Sequence, residues 1–330
     1  MTKKKRFKLI IAFFLLFTLI LVLDLFINNR NNFLINYKEP QTPSILTSKH
    51  SLVIVGDLQR TSFFECIIGR EQNDIERKKI ISAIAKENPA AVVILGDMVF
   101  DGSSKNEWKD FDSLINPIRE NKIPIFPVIG NHEYWGNNNT AMKNLVKQFP
   151  NFYSSHWYTE IYDSLALIFL DSNESDLTDK GWKIERDWLN KTVAKFDSSK
   201  PIKGIIIFDH HPPFTNSTVT GDEKNVQKNF LPAYYNSKKT LLFISGHAHT
   251  YEHFFIKGKT FVVSGGGGGP RVKLKSGKDA HEDIYYGESP RPFNYLLIEK
   301  VDDGINVTVK GLKKGDSKFF TMEEFKINFN

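Results

Sequence analysis

The sequence predicts an α/β layered fold on two observations: short apolar runs alternate with stretches of helical spacing, and almost every run stops abruptly at a polar cluster. The first run is SLVIV at 51–55, and AAVVIL, IPIFPVI, ALIFL, GIIIF and TLLFI follow the same rule. They are rich in Val, Ile and Phe and continuous rather than alternating, as strands buried on both faces require. Between them lie stretches such as DIERKKIISAIAKEN, residues 74–88, with helical spacing. Near the C-terminus, YLLIEK and INVTVKG flank DDG and read as a closing hairpin with Asp303 and Gly304 at the turn. The five-glycine run at 265–269 lacks the Lys-Ser/Thr ending of a nucleotide P-loop and reads as a flexible turn after the strand FVVS.

Upstream of this domain the texture differs. Lys3, Lys4, Lys5, Arg6 and Lys8 precede LIIAFFLLFTLILVLDLFI, residues 9–27, whose one charge is Asp24. As a helix this segment would reach about 28 Å, close to the ~30 Å hydrocarbon core of a bilayer. The basic cluster then stays cytoplasmic and the rest of the chain lies outside. The residues that follow, NNRNNF, offer no small-residue cleavage site, which favours an uncleaved anchor over secretion after signal cleavage. The expected organisation is a basic cytoplasmic segment at 1–8, a transmembrane signal anchor at 9–27, a linker at 28–50 and a globular domain at 51–330.

Composition excludes some classes. The formal charge is +6, but Lys and Arg are scattered outside the N-terminal cluster, so no nucleic-acid partner is expected. Cys66 is alone, which excludes a disulfide framework and a cysteine zinc site. Nothing in the sequence bears on oligomeric state.

The polar clusters fall where an α/β sheet gathers ligands, beyond the carboxyl ends of its strands. Asp57, Asp97, Asn131, His210, His247 and His249 together form a set of oxygen and nitrogen donors without thiolate, suited to Mn, Fe, Zn or similar divalent ions. Asp171, after ALIFL, reads as a strand-end turn, and Glu133, Tyr134 and Trp135 read as wall or packing residues.

In order and wording, GDLQ, GDMVF, GNHE, DHHPP and GHAH resemble the five signature blocks of the calcineurin-like metallophosphoesterases, over about residues 51–268. Within that superfamily, GNHE followed by GHAHTYEH is most similar to the purple acid phosphatase branch, whose last block commonly reads GHxHxYER; here His253 replaces the Arg and is not expected to be a ligand. The resemblance implies a four-layer αββα sandwich of two mixed β-sheets flanked by helices, preceded in this chain by the transmembrane helix. It implies two divalent metal ions, Mn, Fe or Zn, and a phosphate-ester substrate. Asp57, Gln59 and His249 would hold one ion, Asn131, His210 and His247 the other, and Asp97 would bridge them. His210 is preferred to His211 because His210, His211 and Pro212 match the family's His-x-Pro wording. His211 and Asn131 would contact substrate, and His132 would protonate the leaving group as general acid.

Two positions depart from the family pattern. Gln59 stands where the first block usually has His, supplying a neutral oxygen donor expected to bind more weakly or to act through water. Phe100 occupies the place of the tyrosinate that binds ferric iron, which argues against an iron-tyrosinate centre. Other branches place there an Asp that orients the catalytic histidine, and Asp101 comes one residue late. The activity expected is a phosphomonoesterase in which paired cations lower the pKa of a shared water. A phosphodiesterase on cyclic nucleotides or phospholipids and a non-catalytic metal-binding surface module are the competing readings.

Overall fold

The computed structural model describes residues 51–174 and 176–329, with the strand Ile45–Leu46. In chain order the strands are β1 (Ile45–Leu46), β2 (Leu52–Val55), β3 (Ala91–Ile94), β4 (Ile125–Pro127), β5 (Tyr158–Tyr162), β6 (Leu165–Phe169), β7 (Gly204–Phe208), β8 (Thr240–Ser245), β9 (Tyr251–Ile256), β10 (Lys259–Ser264), β11 (Phe293–Val301), β12 (Gly304–Leu312) and β13 (Phe320–Asn328). The helices are α1 (Phe63–Ile67), α2 (Asp74–Glu87), α3 (Lys105–Glu120), α4 (Asn138–Gln148), α5 (Asp179–Ser198), α6 (Lys224–Asn229) and α7 (Leu231–Asn236).

Two mixed β-sheets with flanking helices result. A six-stranded sheet has the order β13-β12-β11-β2-β3-β4, and a seven-stranded sheet the order β1-β5-β6-β7-β8-β10-β9. Strands β2, β3 and β4 run parallel in the first, and β6, β7, β8 and β10 in the second. Every residue of β2, β3, β6 and β7 is buried, which is why their sequences are continuous apolar runs. Along β6, Leu165, Leu167 and Phe169 join the core shared with the other sheet, whereas Ala166 and Ile168 pack with Trp182, Leu189 and Val193 of α5. Each Leu, Ile, Val or Phe side chain so removed from water contributes about 1.5–3 kcal/mol.

The helix expected at 74–88 is α2, whose Ile80, Ile81 and Ile84 are buried, and it ends where Asn88 turns left-handed at φ 48°. Two expectations shift. Val301 pairs with Gly304, so the hairpin turn is Asp302 and Asp303 rather than Asp303 and Gly304. Within the stretch expected to be linker, Ile45 and Leu46 pair with Ile161 and Tyr162 and extend the seven-stranded sheet. Among the described residues no helix is long and apolar enough to cross a membrane. The span expected at 9–27 lies outside the described residues.

Candidate metal centre

The carboxyl ends of β2, β3 and β4 meet those of β7 and β8, and the polar clusters occupy that junction. Asp57 follows β2, Asp97 follows β3, Asn131 follows β4, His210 follows β7, and His247 and His249 follow β8. Backbone bonds tie the loops together: Asp57 N–H to Gly96 O at 3.2 Å, Gln59 N–H to Asp97 O at 2.8 Å, and Gly246 N–H to His210 O at 3.0 Å. Asp57, Asp97, His247 and His249 all have positive φ, at 59°, 52°, 66° and 46°. Non-glycine residues hold that conformation only where the surroundings over-determine it, and such strain clusters at functional sites.

The ring orientations leave nitrogens free to face one another. His210 Nδ1 donates to the Leu95 carbonyl at 2.7 Å, and His249 Nδ1 to the Pro270 carbonyl at 3.0 Å. Each Nε2 therefore points inward, the arrangement by which a second partner fixes a ligating imidazole. His249 Nε2 lies 3.4 Å from Asp57 Oδ1, and His210 Nε2 lies 3.4 Å from Asp97 Oδ1 and 3.1 Å from Asn131 Oδ1. Asp57, Asp97 and His249 form one group whose donor atoms all lie within 4.8 Å of one another, and His210, His211 and His247 form a second. The second group adds His211, expected from the sequence only as a substrate contact.

Gln59 joins the first group. Its Nε2 sits 3.2 Å from Asp97 Oδ2 and 3.0 Å from His249 Nε2, while its Oε1 is buried without a hydrogen-bond partner. A buried carbonyl oxygen without a partner is costly, and a cation is one group that would satisfy it.

His132 stands at the edge of the cluster. Its backbone N–H donates to Asp97 Oδ1 at 3.0 Å and its Nε2 is 3.9 Å from Asp97 Oδ2. Its Nδ1 donates to the carbonyl of Phe100 at 2.6 Å. Asp101 does not orient it, since that carboxylate accepts from Ser103 N at 2.9 Å and Ser103 Oγ at 2.8 Å. The ring lies against Trp135, with centroids 3.8 Å apart, and Phe100 flanks both.

Around the cluster are residues whose contribution could not be read from the sequence. Glu133 is fully buried and accepts from the backbone N–H of Asp97, Met98 and Gly130 at 2.8 Å each and of Val99 at 3.3 Å. It thus binds the β3 loop to the β4 loop, a stronger duty than the packing expected of it. Ser172 Oγ accepts from His210 N at 3.2 Å and His211 N at 2.9 Å. Asp171, expected as a turn residue, is buried and accepts from Tyr134 Oη at 2.7 Å. The five glycines expected as a flexible turn are instead buried beneath the centre: Gly267 N–H donates to Gly56 O at 2.8 Å and Gly269 N–H to Asp57 O at 2.9 Å. A Cβ at Gly265 would lie 2.6 Å from Asp57 Oδ2, and one at Gly269 would lie 2.6 Å from His249 Cε1. Only a side-chain-free segment fits. His253 pairs with Glu323 at 2.9 Å, in neither donor group.

This geometry accompanies a match of the calcineurin-like phosphoesterase family model over residues 50–251. The chain belongs to that family. No curated protein sequence matches significantly. Among solved structures, GAP50, the anchor in the inner membrane complex of Plasmodium, superposes with a TM-score of 0.65 at 18% identity, over 85% of this chain and 89% of that one. A purple acid phosphatase from yellow lupin seeds gives 0.66 at 17%, over 88% of this chain and 56% of that one. A dimetal phosphatase from Danio rerio gives 0.55 at 14%, over 85% and 99%. These likenesses describe the fold.

In this metallophosphoesterase the electrostatics suit a cation. Burial raises the Asp57 carboxyl well above the carboxylate range. Burial opposes ionisation of Asp97 too, but His210 and His132 outweigh it and hold that carboxyl far below the range. Burial would lower His210, yet Asp97 and Asp57 push it up to about 10, whereas burial drops His247 to about 3 and His249 to about 4. His247 and His249 are therefore neutral imidazoles at neutral pH, the form that binds metals, and a divalent charge would replace the proton on His210. The donor set, thiolate-free and rich in imidazole and carboxylate, fits divalent ions of the Mn, Fe and Zn kind.

Proposed function

We propose that this metallophosphoesterase is a phosphomonoesterase that uses a pair of divalent cations. Asp57, Gln59 and His249 would hold one and Asn131, His210 and His247 the other, with Asp97 shared by the two sets. Bound there, the cations supply Lewis-acid charge and a water of lowered pKa. Asp97 would contribute negative charge to both sets. The Asn131 amide and the His211 ring face the phosphoryl oxygens, where charge develops during in-line attack. His132, when protonated, gives its Nε2 proton to the departing alkoxide.

The observation that carries this reading is the placing of His132. Its Nδ1 is committed to the Phe100 carbonyl and its Nε2 stands 3.9 Å from Asp97, so the one ring nitrogen left to exchange a proton is aimed at the side of the donor cluster. A metal-binding module would have no use for it. On the same reading residues 9–27 anchor the chain and the site faces away from the cytoplasm, which protease accessibility on intact cells tests.

The activity is tested with the full chain, Mn²⁺ and two esters, p-nitrophenyl phosphate and bis(p-nitrophenyl) phosphate. A higher kcat/KM on the monoester is expected. A strong preference for the diester would replace the proposal with a phosphodiesterase, and no hydrolysis of either would end it.

A further inference from the structure

Beside the metal centre lies a cavity of about 690 Å³ whose floor is polar and whose wall is apolar. Gln59, Asp97, Asn131, His132, His247 and His249 form the floor. Phe63, Phe64, Ile68, Val219 and Val272 rise on the wall, with Phe100 and Trp135 beside His132. Four large apolar side chains in and beside α1 are open to solvent: Phe63 is 83% exposed, Phe64 68%, Ile67 65% and Ile68 60%, with Val219 at 65% across the cavity. Such a contiguous exposed patch marks a binding surface rather than chance.

No residue of α1 is buried, so apolar packing does not hold the helix in place. Polar contacts do. Ser62 and Glu65 form a capping box, Arg70 pairs with Glu65 at 3.0 Å, and Arg70 also donates to the Pro270 carbonyl at 3.3 Å. Opposite, Ser217 Oγ accepts from Val219 N at 3.2 Å and Thr220 N at 3.1 Å, which fixes the turn that presents Val219. Both walls are thus built from their backbones, with apolar side chains left over to line the space between.

Resting on the phosphomonoesterase reading above, we infer that the substrate is a phosphate monoester of an apolar alcohol, with its phosphate at the metal donors and its hydrocarbon chain along the wall formed by Phe63, Phe64, Ile68 and Val219. The continuity of the cavity carries the inference. His132 stands at the side of the floor that Phe100 and Trp135 flank, its ring lying against Trp135, so the departing oxygen that takes its proton and the carbon chain attached to it lie on that side. In the step a water oxygen bonds to phosphorus, the bond from phosphorus to the ester oxygen breaks, and that oxygen takes the proton of His132; one proton of the water stays on the phosphate and the other passes to solvent, from which His132 is reprotonated. The products are the alcohol and inorganic phosphate. A sugar or nucleoside leaving group would set its hydroxyls against hydrocarbon, with their hydrogen bonds to water unreplaced.

The test uses the full chain in phosphatidylcholine nanodiscs, so that no free detergent competes for the cavity, with Mn²⁺ and n-alkyl phosphates from butyl to octyl below their micelle concentrations. Burying one methylene is worth about a fourfold gain, and about twofold against a wall open on one side, so kcat/KM should rise at least about 16-fold from butyl to octyl. Replacing Phe64→Ser and Val219→Ser together should bring the octyl-to-butyl ratio close to unity, and Phe64→Leu should keep it. Because the ratio is taken within one preparation, it does not depend on how much of a variant folds. A flat ratio in the unaltered protein, or a steep one that survives the double substitution, overturns the inference while leaving the phosphomonoesterase reading in place. Hydrolysis of p-nitrophenyl phosphate but of none of the alkyl esters overturns the inference alone, and hydrolysis of neither kind overturns both. If the double variant instead loses binding to phosphatidylcholine vesicles or loses self-association while the ratio is flat, the patch is a contact surface and the inference fails.

Discussion

The Nδ1 hydrogen of His132 is held by the carbonyl oxygen of Phe100, 2.6 Å away. On the general-acid reading of His132, a backbone acceptor takes the orienting part that the family resemblance assigns to a carboxylate, and the residue that interrupts the pattern supplies it through its main chain. Substitution of the Phe100 side chain leaves that acceptor in place.

His132→Ala should keep its bound metal, because His132 belongs to neither donor group. Loss of a general acid lowers kcat by about 10²–10⁴-fold on esters with poor leaving groups, and p-nitrophenyl phosphate, which leaves without help, should suffer less. Asp101→Asn should leave kcat nearly unchanged, since its carboxylate serves Ser103. Metal analysis by plasma mass spectrometry and kcat on two leaving groups check all three statements. Unchanged turnover in His132→Ala would remove it from the mechanism.

Asp97 lies within 3.5 Å of side-chain nitrogens on both sides of the centre, Gln59 Nε2 at 3.2 Å and His210 Nε2 at 3.4 Å. On the proposed two-cation reading, Asp97→Asn should reduce bound metal from two ions per chain to one or none, whereas His249→Ala should remove the ion on its own side. Equilibrium dialysis against Mn²⁺ followed by metal analysis gives the stoichiometry. Two tightly held ions in Asp97→Asn would show that it does not lie between them.

How far the sequence announces this arrangement depends on which physical signal each residue leaves. Parallel strands buried on both faces leave continuous apolar runs, and their carboxyl ends are where function gathers, so Asp57, Asp97, Asn131, His210, His247 and His249 are all legible. Strand β5 is not, because YTEIY mixes polar and apolar residues at a sheet position near the edge. Glu133 and Ser172 act by accepting backbone N–H bonds from distant loops, and such a contact leaves no periodicity behind. The glycine run misleads for a related reason: a segment chosen for absence of side chains looks the same whether it is free in solvent or pressed under Asp57 and His249. The apolar residues of α1 give no signal of their own either, since their meaning lies in what they face.

Glu133→Gln should destabilise the fold. The carboxylate accepts four backbone N–H bonds with its two oxygens, and an amide would aim an NH₂ at donors that need an acceptor. Leaving buried N–H groups unsatisfied costs about 1–3 kcal/mol each, so a loss of about 2–4 kcal/mol is expected. Urea denaturation of the metal-free protein measures it without interference from metal binding. A loss below about 0.5 kcal/mol would mean that the two loops hold together without this residue.

Glu252 predicts a dependence of stability on pH. It is buried, and burial pushes its carboxyl up to about 7 from an ordinary value of 4.5, against the opposing hydrogen bonds from Thr215 and Asn216. Asp283 reinforces the rise and Arg291 opposes it. Between about pH 4.5 and 7 the folded chain keeps a proton that the unfolded chain releases, so the unfolded state binds fewer protons and stability falls as pH rises through that window. At about 1.36 kcal/mol for each pH unit crossed, the effect is at most about 3 kcal/mol. Glu252→Gln removes the titration. The stability of the variant minus that of the unaltered protein should therefore increase from pH 4.5 to pH 8, whatever its sign at the start. Because other groups titrate equally in both proteins, the difference isolates Glu252, and a difference that stays constant across the window would show that its carboxyl ionises in the folded chain as readily as in the unfolded one.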